Sequence, residues 1–295
     1  MFDLHTHTVL SDGRTRPSEN ARLAAEAGLT GVAVTDHDTT AGWEEAAEAC
    51  AALDIVFVPG IELSTEDPDA HGRSVHLLGY FVRGRDEALE RECARLRGER
   101  DLRAERMLSL LGEHGIDLDV AAVRAIAADA PVGRPHVAEA LVAAGAVADT
   151  REAFDRWLAE GRPAYVGKHA ITPERGVEVI RAASGAAVLA HPGMDHAPGD
   201  PRARAGALDL LDRLAAAGLA GVEADHVGHD GSTREAWAAA AAARGLLVTG
   251  ASDFHGRYEE ERVGSSTTPN EVVAALRECA AEGPGAFVTK GSEPW

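Results

Sequence analysis

Histidines and carboxylates that follow short apolar runs are the side chains of this 295-residue chain best suited to chemistry. His5 and His7 come first, and side chains two residues apart in a β-strand point to one face, so both imidazoles can bind one metal ion. The same residue types recur at Asp12, His37, Glu62, His76, His191, Asp253 and His255. Zinc, manganese and iron accept imidazole nitrogen and carboxylate oxygen, and a bound ion can activate water. The pattern therefore predicts a polynuclear, catalytic metal centre.

Apolar runs that alternate with alanine-rich segments predict the elements that position these side chains. After a first strand that carries His5 and His7, strands are predicted at 31–35, 55–61, 75–82, 186–190, 221–224 and 246–250. Helices are predicted at 17–27, 43–53, 173–183, 208–217 and 233–244. This alternation is typical of a parallel α/β sheet or barrel, and α/β barrels carry their active sites at the carboxyl ends of the strands. We expect an α/β barrel with the metal centre at that end.

One stretch interrupts the alternation, because residues 86–169 contain no convincing strand. Helices are predicted there at 87–114, 120–129, 137–144 and 151–160. We predict a helical insert, or cap domain, at 86–169, between a first barrel segment at 1–85 and a second at 170–295. Two roles stay open for this insert, a cap over the active site and an appendage that aids solubility.

Composition excludes several classes of function. The net charge of −19 disfavours binding of long duplex nucleic acid, although a few fixed cations can still form a local site for a small phosphorylated substrate. No apolar run is long enough to span a bilayer and no signal peptide is evident, so we expect a cytoplasmic protein that does not bind membranes. Three dispersed cysteines argue against a disulfide framework and against a CxxC zinc site. A Gly-x-Ser-x-Gly motif and a P-loop are both absent from the sequence, so neither a serine nucleophile nor ATP-driven chemistry is expected.

Six ordered motifs together resemble the PHP (polymerase and histidinol phosphatase) family, over the range from Phe2 to about Lys290. They are His5-x-His7, Ser11-Asp12-Gly13, Thr35-Asp36-His37-Asp38-Thr39, Pro59-Gly60-Ile61-Glu62-Leu63-Ser64, Ala190-His191-Pro192 and Ser252-Asp253-Phe254-His255-Gly256. The resemblance implies a distorted (β/α)7 barrel, phosphoester hydrolysis and two to three divalent ions (Mn, Fe or Zn). From their positions beside His37, Asp36 and Asp38 are predicted to orient ligands or to cap the following helix.

The resemblance also suggests how the ligands divide among the ions. One ion would take His5, His7, Glu62 and Asp253; a second Asp12, His37 and His255; a third would share Glu62 and add His76 and His191. We predict Asp12, His37, His255 and His229 as catalytic residues. His229 is given two alternative roles, contact with the substrate phosphate or leaving oxygen, and support of its own loop.

Within the insert, Gly133-Arg134-Pro135-His136 and Pro163-Ala164-Tyr165-Val166-Gly167-Lys168 resemble the capped PHP phosphoesterases. Members of that group remove the 3′-phosphate of nucleoside 3′,5′-bisphosphates, and some trim short RNA from the 5′ end. We predict Arg134, His136, Lys168 and His229 as substrate contacts, since guanidinium and ammonium groups bind phosphate oxygens. An internal salt bridge is the alternative for Arg134. Two positions depart from the family pattern: Asp225 stands where an aromatic residue is usual, and Gly167 where proline is common.

The predicted function is a metal-dependent phosphoesterase. Its expected substrates are nucleoside 3′,5′-bisphosphates such as 3′-phosphoadenosine 5′-phosphate, with trimming of short 5′-phosphorylated oligoribonucleotides as a further activity. A different PHP phosphatase, acting on histidinol phosphate or another small phosphomonoester, is the closest alternative. A non-catalytic, metal-stabilised PHP module is an alternative of another class. The sequence leaves the oligomeric state open.

Overall fold

A computed structural model describes residues 1–70, 73–128, 132–167, 170–194 and 201–280. The chain divides into two compact units, a larger one built from the segments before Ala94 and after Ala170, and a smaller one at Ala94–Ala170. The smaller unit begins inside a long helix, later than residue 86, and Leu89 and Cys93 near the start of that helix are buried. That residues 86–169 form a separate cap domain stays a prediction.

Seven strands form one sheet in the larger unit. They are β1 (Phe2–Asp3), β2 (Gly31–Val34), β3 (Val56–Asp67), β4 (Arg73–Tyr80), β5 (Ala186–Leu189), β6 (Gly221–His226) and β7 (Leu247–Ala251). The strands lie side by side in the order of the sequence. A parallel bridge joins Thr6, just after β1, to Phe254, just after β7, so the sheet is nearly closed into a barrel. The predicted barrel fold is confirmed.

Strand β4 runs against the direction of its neighbours. It pairs antiparallel with β3 along Gly60–Asp67 and antiparallel with β5. The parallel arrangement that the strand–helix alternation favours therefore does not hold at this strand. Parallel neighbours need a long crossover connection, whereas β3 and β4 follow each other closely and pair as a hairpin. This pairing also extends β3 six residues beyond the predicted end at 61.

The described residues form ten α-helices. They are α1 (Pro17–Glu26), α2 (Trp43–Ala52), α3 (Glu87–Glu113), α4 (Val120–Ala127), α5 (Arg134–Ala143), α6 (Thr150–Ala153), α7 (Pro173–Ala182), α8 (Pro201–Ala217), α9 (Gly231–Ala242) and α10 (Asn270–Cys279). Side-chain oxygens of Thr172 and Asp230 accept backbone N–H groups at the starts of α7 and α9, which fixes where these helices begin. None of the helices in this described part combines the length and apolarity needed to span a membrane.

Each unit has its own apolar core. In the larger unit, side chains such as Phe2, Val58 and Val188 are fully buried in one apolar cluster. In the smaller unit, α3 to α6 bury Leu111 and Leu141. The helix predicted at 151–160 is instead one α-helical turn, α6, followed by a π-helical turn at Phe154–Leu158.

Candidate metal centre

His5 and His7 lie just beyond β1 rather than inside it. The β1 ladder ends at Asp3, but the chain stays extended because Phe254 donates to the His5 carbonyl (3.3 Å) and accepts from the His7 amide (2.8 Å). The two rings therefore share one face, as the spacing predicted, with their Nε2 atoms 3.1 Å apart. Both side chains are fully buried.

Glu62, in the middle of β3, is the hub of the cluster. Its carboxylate oxygens lie 3.4 Å from His5 Nε2, 3.2 Å from His7 Nε2, 3.0 Å from His37 Nδ1, 2.7 Å from His76 Nδ1 and 3.1 Å from His191 Nε2. A carboxylate offers about four lone-pair directions, so these five contacts cannot all be separate hydrogen bonds. The reversed strand β4 supplies His76, which projects from the same face of the hairpin as Glu62.

Asp12 and Asp253 complete the cluster on either side of His7. Asp253 Oδ1 lies 3.2 Å from His5 Nε2 and 3.3 Å from His7 Nε2. Asp12 Oδ1 lies 3.3 Å from His255 Nε2 and 3.6 Å from His7 Nδ1. The structure thus brings all nine predicted ligand side chains into one connected cluster.

Among the residues that the structure describes, four groups of three side chains could each hold a metal ion, since their ligand atoms lie within 4.8 Å of one another. The groups are His5, His7 and Asp253; His7, His37 and Glu62; His7, Asp12 and His255; and Glu62, His76 and His191. His37 falls in a group with His7 and Glu62, and its Nε2 also lies 3.8 Å from Oδ2 of Asp12, the partner predicted for it. The assignment of particular ligands to particular ions stays a prediction.

The electrostatics of the cluster favour bound positive charge. Burial by itself would lower the pKa of His7, but hydrogen bonds with Asp253 and Glu62 raise it to about 10. Burial would likewise lower the pKa of His191, but its hydrogen bond with Glu62 raises that pKa to about 9. For Glu62 burial would raise the pKa, yet the surrounding histidines hold it well below its usual range.

This donor set fits divalent metal ions. Buried carboxylates and imidazoles at these distances need cations between them, and either protons or metal ions can supply that charge. Imidazole nitrogen with carboxylate oxygen suits zinc, manganese and iron alike. Because a ligating imidazole must lose its proton from the metal-facing nitrogen, metal ions and protons compete for the cluster.

Two of the predicted ligand residues have a strained backbone. His191 has a φ of +26° and Asp253 a φ of +51°, a region that residues other than glycine seldom adopt. Each such conformation costs on the order of 1–3 kcal/mol and persists only where the surrounding structure holds it. The strain marks the two turns that bring β5 and β7 ligands into the cluster.

The sequence analysis missed three buried side chains that support the ligands. Glu223 on β6 accepts a hydrogen bond from His5 Nδ1 (3.0 Å). Asp3 accepts from the Ser252 hydroxyl and amide, and burial raises its pKa to about 6. His226 places Nε2 3.4 Å from Asp253 Oδ2. A charged residue inside an apolar strand was the available signal for Glu223, since Val222 and Ala224 flank it.

Asp36 and Asp38 do not cap the helix that follows them, since α2 begins only after Gly42. Asp36 accepts hydrogen bonds from the Thr8 amide and hydroxyl and from the Ser11 hydroxyl, and thereby fixes the loop that carries Asp12. Asp38 accepts from the amide and hydroxyl of Ser64. Of the two predicted roles, these bonds match the support of segments next to ligand residues.

His229 has both ring nitrogens engaged. Its Nδ1 donates to the Ala224 carbonyl (2.9 Å), and its Nε2 accepts from the Gly193 amide (3.0 Å). Burial lowers the pKa of His229, which fits this neutral form. Of the two predicted roles, these two hydrogen bonds favour support of the loop after His191. A contact between His229 and substrate would require one of the two hydrogen bonds to break.

The predicted substrate contacts of the insert lie in the smaller unit. Arg134, the first residue of α5, stacks its guanidinium over the rings of Phe154 (5.8 Å) and Tyr165 (6.0 Å). His136 is buried and accepts the Gly133 amide with Nδ1 (3.0 Å), which closes the first turn of α5. Lys168 lies outside the described residues.

Comparison with known proteins assigns the family. Residues 3–120 match the model of the PHP domain. The 3′,5′-nucleoside bisphosphate phosphatase of Chromobacterium violaceum is 35% identical over 267 residues, which cover 88% of this chain and 89% of that protein. The chain belongs to the PHP family.

Two further relatives agree with this PHP assignment. A 5′-3′ exoribonuclease of Haemophilus influenzae is 34% identical over 194 residues, covering 65% of this chain and 68% of the relative. A crystal structure from Bifidobacterium adolescentis, described as a metal-dependent phosphoesterase, matches with a TM-score of 0.84 and 32% identity, over 95% of this chain and 96% of the other. The predicted family and enzyme class, a metal-dependent PHP phosphoesterase, are confirmed.

Proposed function

We propose that this PHP phosphoesterase removes the 3′-phosphate of nucleoside 3′,5′-bisphosphates, such as 3′-phosphoadenosine 5′-phosphate. The similarity to a bisphosphate phosphatase, which extends over 88% of the chain, is the observation that carries this proposal. The similarity to an exoribonuclease supports trimming of short 5′-phosphorylated oligoribonucleotides as a second activity of the same centre. A cytoplasmic location stays a prediction.

The cluster would hold two to three divalent ions, Mn, Fe or Zn, through the nine side chains from His5 to His255. When bound, such ions supply an activated water and offset the negative charge of the phosphate. Asp12 and His37 remain our proposed catalytic residues together with His255. His255 donates from Nδ1 to the Asp253 carbonyl (2.8 Å), so its Nε2, 3.3 Å from Asp12 Oδ1, is the nitrogen that would bind a metal ion.

A phosphate-release panel tests the substrate assignment. It compares 3′-phosphoadenosine 5′-phosphate, histidinol phosphate and a 5′-phosphorylated diribonucleotide, with metal content measured on the same preparation. We expect the highest kcat/KM for the bisphosphate, and release from its 3′ position. Faster hydrolysis of histidinol phosphate would overturn the assignment and favour the alternative phosphatase. An Asp12→Asn variant serves as the inactive blank.

Arg134 is proposed to bind a substrate phosphate, together with His136 and Lys168. Arg134→Ala should raise KM for the bisphosphate by about 10- to 100-fold, since a charge-assisted hydrogen bond contributes about 1.5–3 kcal/mol. Arg134→Lys should recover part of this loss, because it keeps the charge but not the planar fork. Steady-state kinetics provide the measurement.

Arg162→Ala is the matched control, since Arg162 is an exposed arginine of the same unit. It should leave KM unchanged. If Arg134→Ala left KM within about twofold of the unmodified enzyme, Arg134 would be assigned a purely structural role in its stack with Phe154 and Tyr165.

A further inference from the structure

Strand β6 carries a carboxylate that belongs to none of the four candidate metal-binding groups. Glu223 is fully buried between Val222 and Ala224, both of which are core residues. A buried carboxylate is retained only when hydrogen bonds or opposite charges compensate its lost hydration. The partners of Glu223 therefore indicate its role.

The first partner is the ring of His5. Glu223 Oε1 and Oε2 lie 3.0 Å and 3.3 Å from His5 Nδ1. An ionised carboxylate only accepts, so Nδ1 must carry a proton, and Nε2 is the nitrogen that can give up its proton and bind a metal ion. That Nε2 atom is the one that faces Asp253 and the hub Glu62, at 3.2 Å and 3.4 Å. Glu223 thus selects the ring tautomer that can bind a metal ion.

The second partner is the backbone of His191. Glu223 Oε2 accepts the His191 amide hydrogen at 2.8 Å. This amide belongs to the residue whose φ of +26° makes the turn after β5. The bond holds the strained turn that directs the His191 ring toward Glu62, 3.1 Å away.

The two partners lie in different metal-binding groups. His5 belongs to the group with His7 and Asp253, and His191 to the group with Glu62 and His76. We propose that Glu223 is a positioning residue shared by these two groups, acting on one through a ring tautomer and on the other through a backbone turn. The inference rests on the proposed metal binding, but not on the identity of the phosphoester.

Two substitutions separate the two actions. Glu223→Gln keeps the shape of the side chain, and its one carbonyl oxygen can accept from the His191 amide. Its NH2 group then faces His5 and favours the tautomer with a proton on Nε2, which blocks the metal-facing lone pair. Glu223→Ala removes both bonds. Glu223→Gln should therefore weaken metal binding only at the group that contains His5. Glu223→Ala should weaken it both there and at the group that contains His191. These two groups are the two classes of metal site that the experiment distinguishes.

Metal affinity is measured by competition between each metal-free variant and a chromogenic chelator, with manganese or zinc as the titrant. Loss of such a supporting contact typically costs 10- to 100-fold in metal affinity, which is the change we expect for each affected class. Asp225→Asn, on the same strand but half-exposed and paired with Arg234, is the matched control and should leave both classes unchanged. Circular dichroism and melting curves establish that each variant is folded.

Wild-type affinity in both classes for a folded Glu223→Gln variant would overturn the proposal. The same holds for equal weakening of all classes in Glu223→Gln and Glu223→Ala, which would indicate a general loss of structure. Should Glu223→Ala fail to fold, the selective effect of Glu223→Gln decides. If the unmodified protein binds metal but does not hydrolyse the bisphosphate, the substrate assignment fails while the role of Glu223 can still be tested.

Discussion

Glu62→Gln is expected to reduce phosphate release by at least about a thousandfold, equivalent to about 4 kcal/mol of lost transition-state stabilisation. The reason is the position of this carboxylate, within 3.4 Å of ring nitrogens from five histidines. The glutamine retains one acceptor oxygen and turns an NH2 group toward imidazoles that must offer lone pairs to metal. Steady-state kinetics and metal content of the purified variant are the measurements, and fewer bound ions are expected.

Glu66→Gln provides the control for this substitution. Glu66 lies four residues further along β3, and side chains an even number of residues apart point to the same face of a strand. It belongs to none of the candidate metal-binding groups among the described residues. Activity and metal content should stay at the level of the unmodified enzyme. Retention of a full set of ions by Glu62→Gln would remove Glu62 from the centre.

The metal-free protein should lose stability as the pH rises from about 7 to 10. His7 and His191 start from an ordinary pKa of 6.5, which the fold raises to about 10 and about 9. Between these values the folded chain holds more protons than the unfolded chain, so the free energy of unfolding falls with increasing pH. The contribution is fully present below pH 6.5 and is lost as the pH passes through 9 to 10.

Bound metal ions should abolish this decline, because they replace the protons that the cluster otherwise holds. Melting temperatures at several pH values, with a chelator and with manganese, provide the measurement. For a protein of this size each kcal/mol corresponds to about 2–4 °C in Tm. A His114→Gln variant, changed at an exposed histidine, should retain the decline of the metal-free protein. A metal-free Tm that is constant between pH 7 and 10 would contradict the prediction.

The sequence was sufficient to predict the barrel and the members of the cluster, because both depend on local signals. Apolar runs of strand length located the sheet, and the i,i+2 spacing of His5 and His7 indicated a shared face. The ligands of later strands followed from residue type and position after an apolar run. The fold needed only to bring these strand ends to one rim.

Features that depend on long-range pairing were not predictable in this way. The reversed direction of β4 results from its hairpin pairing with β3. An apolar run in the sequence predicts a strand but does not indicate whether that strand pairs parallel or antiparallel. His37 approaches Glu62 through a bridge between the segments after β2 and within β3, which residue spacing does not encode. The engagement of both nitrogens of His229 depends on Gly193 and Ala224, which became neighbours only in the folded chain.

The shortness of β1 has a consequence for how the barrel holds together. The seam of the barrel is joined by backbone hydrogen bonds of Phe254 with His5 and His7, by those between Phe2 and Thr268, and by side-chain bonds of Asp3 with Ser252. His5 and His7 stand on one side of this seam, and Asp253 and His255 on the other. An ion bound by ligands from both sides would link the first strand to the last. Removal of the metal should therefore destabilise the barrel first along this seam. Faster amide hydrogen exchange at the seam would show this effect.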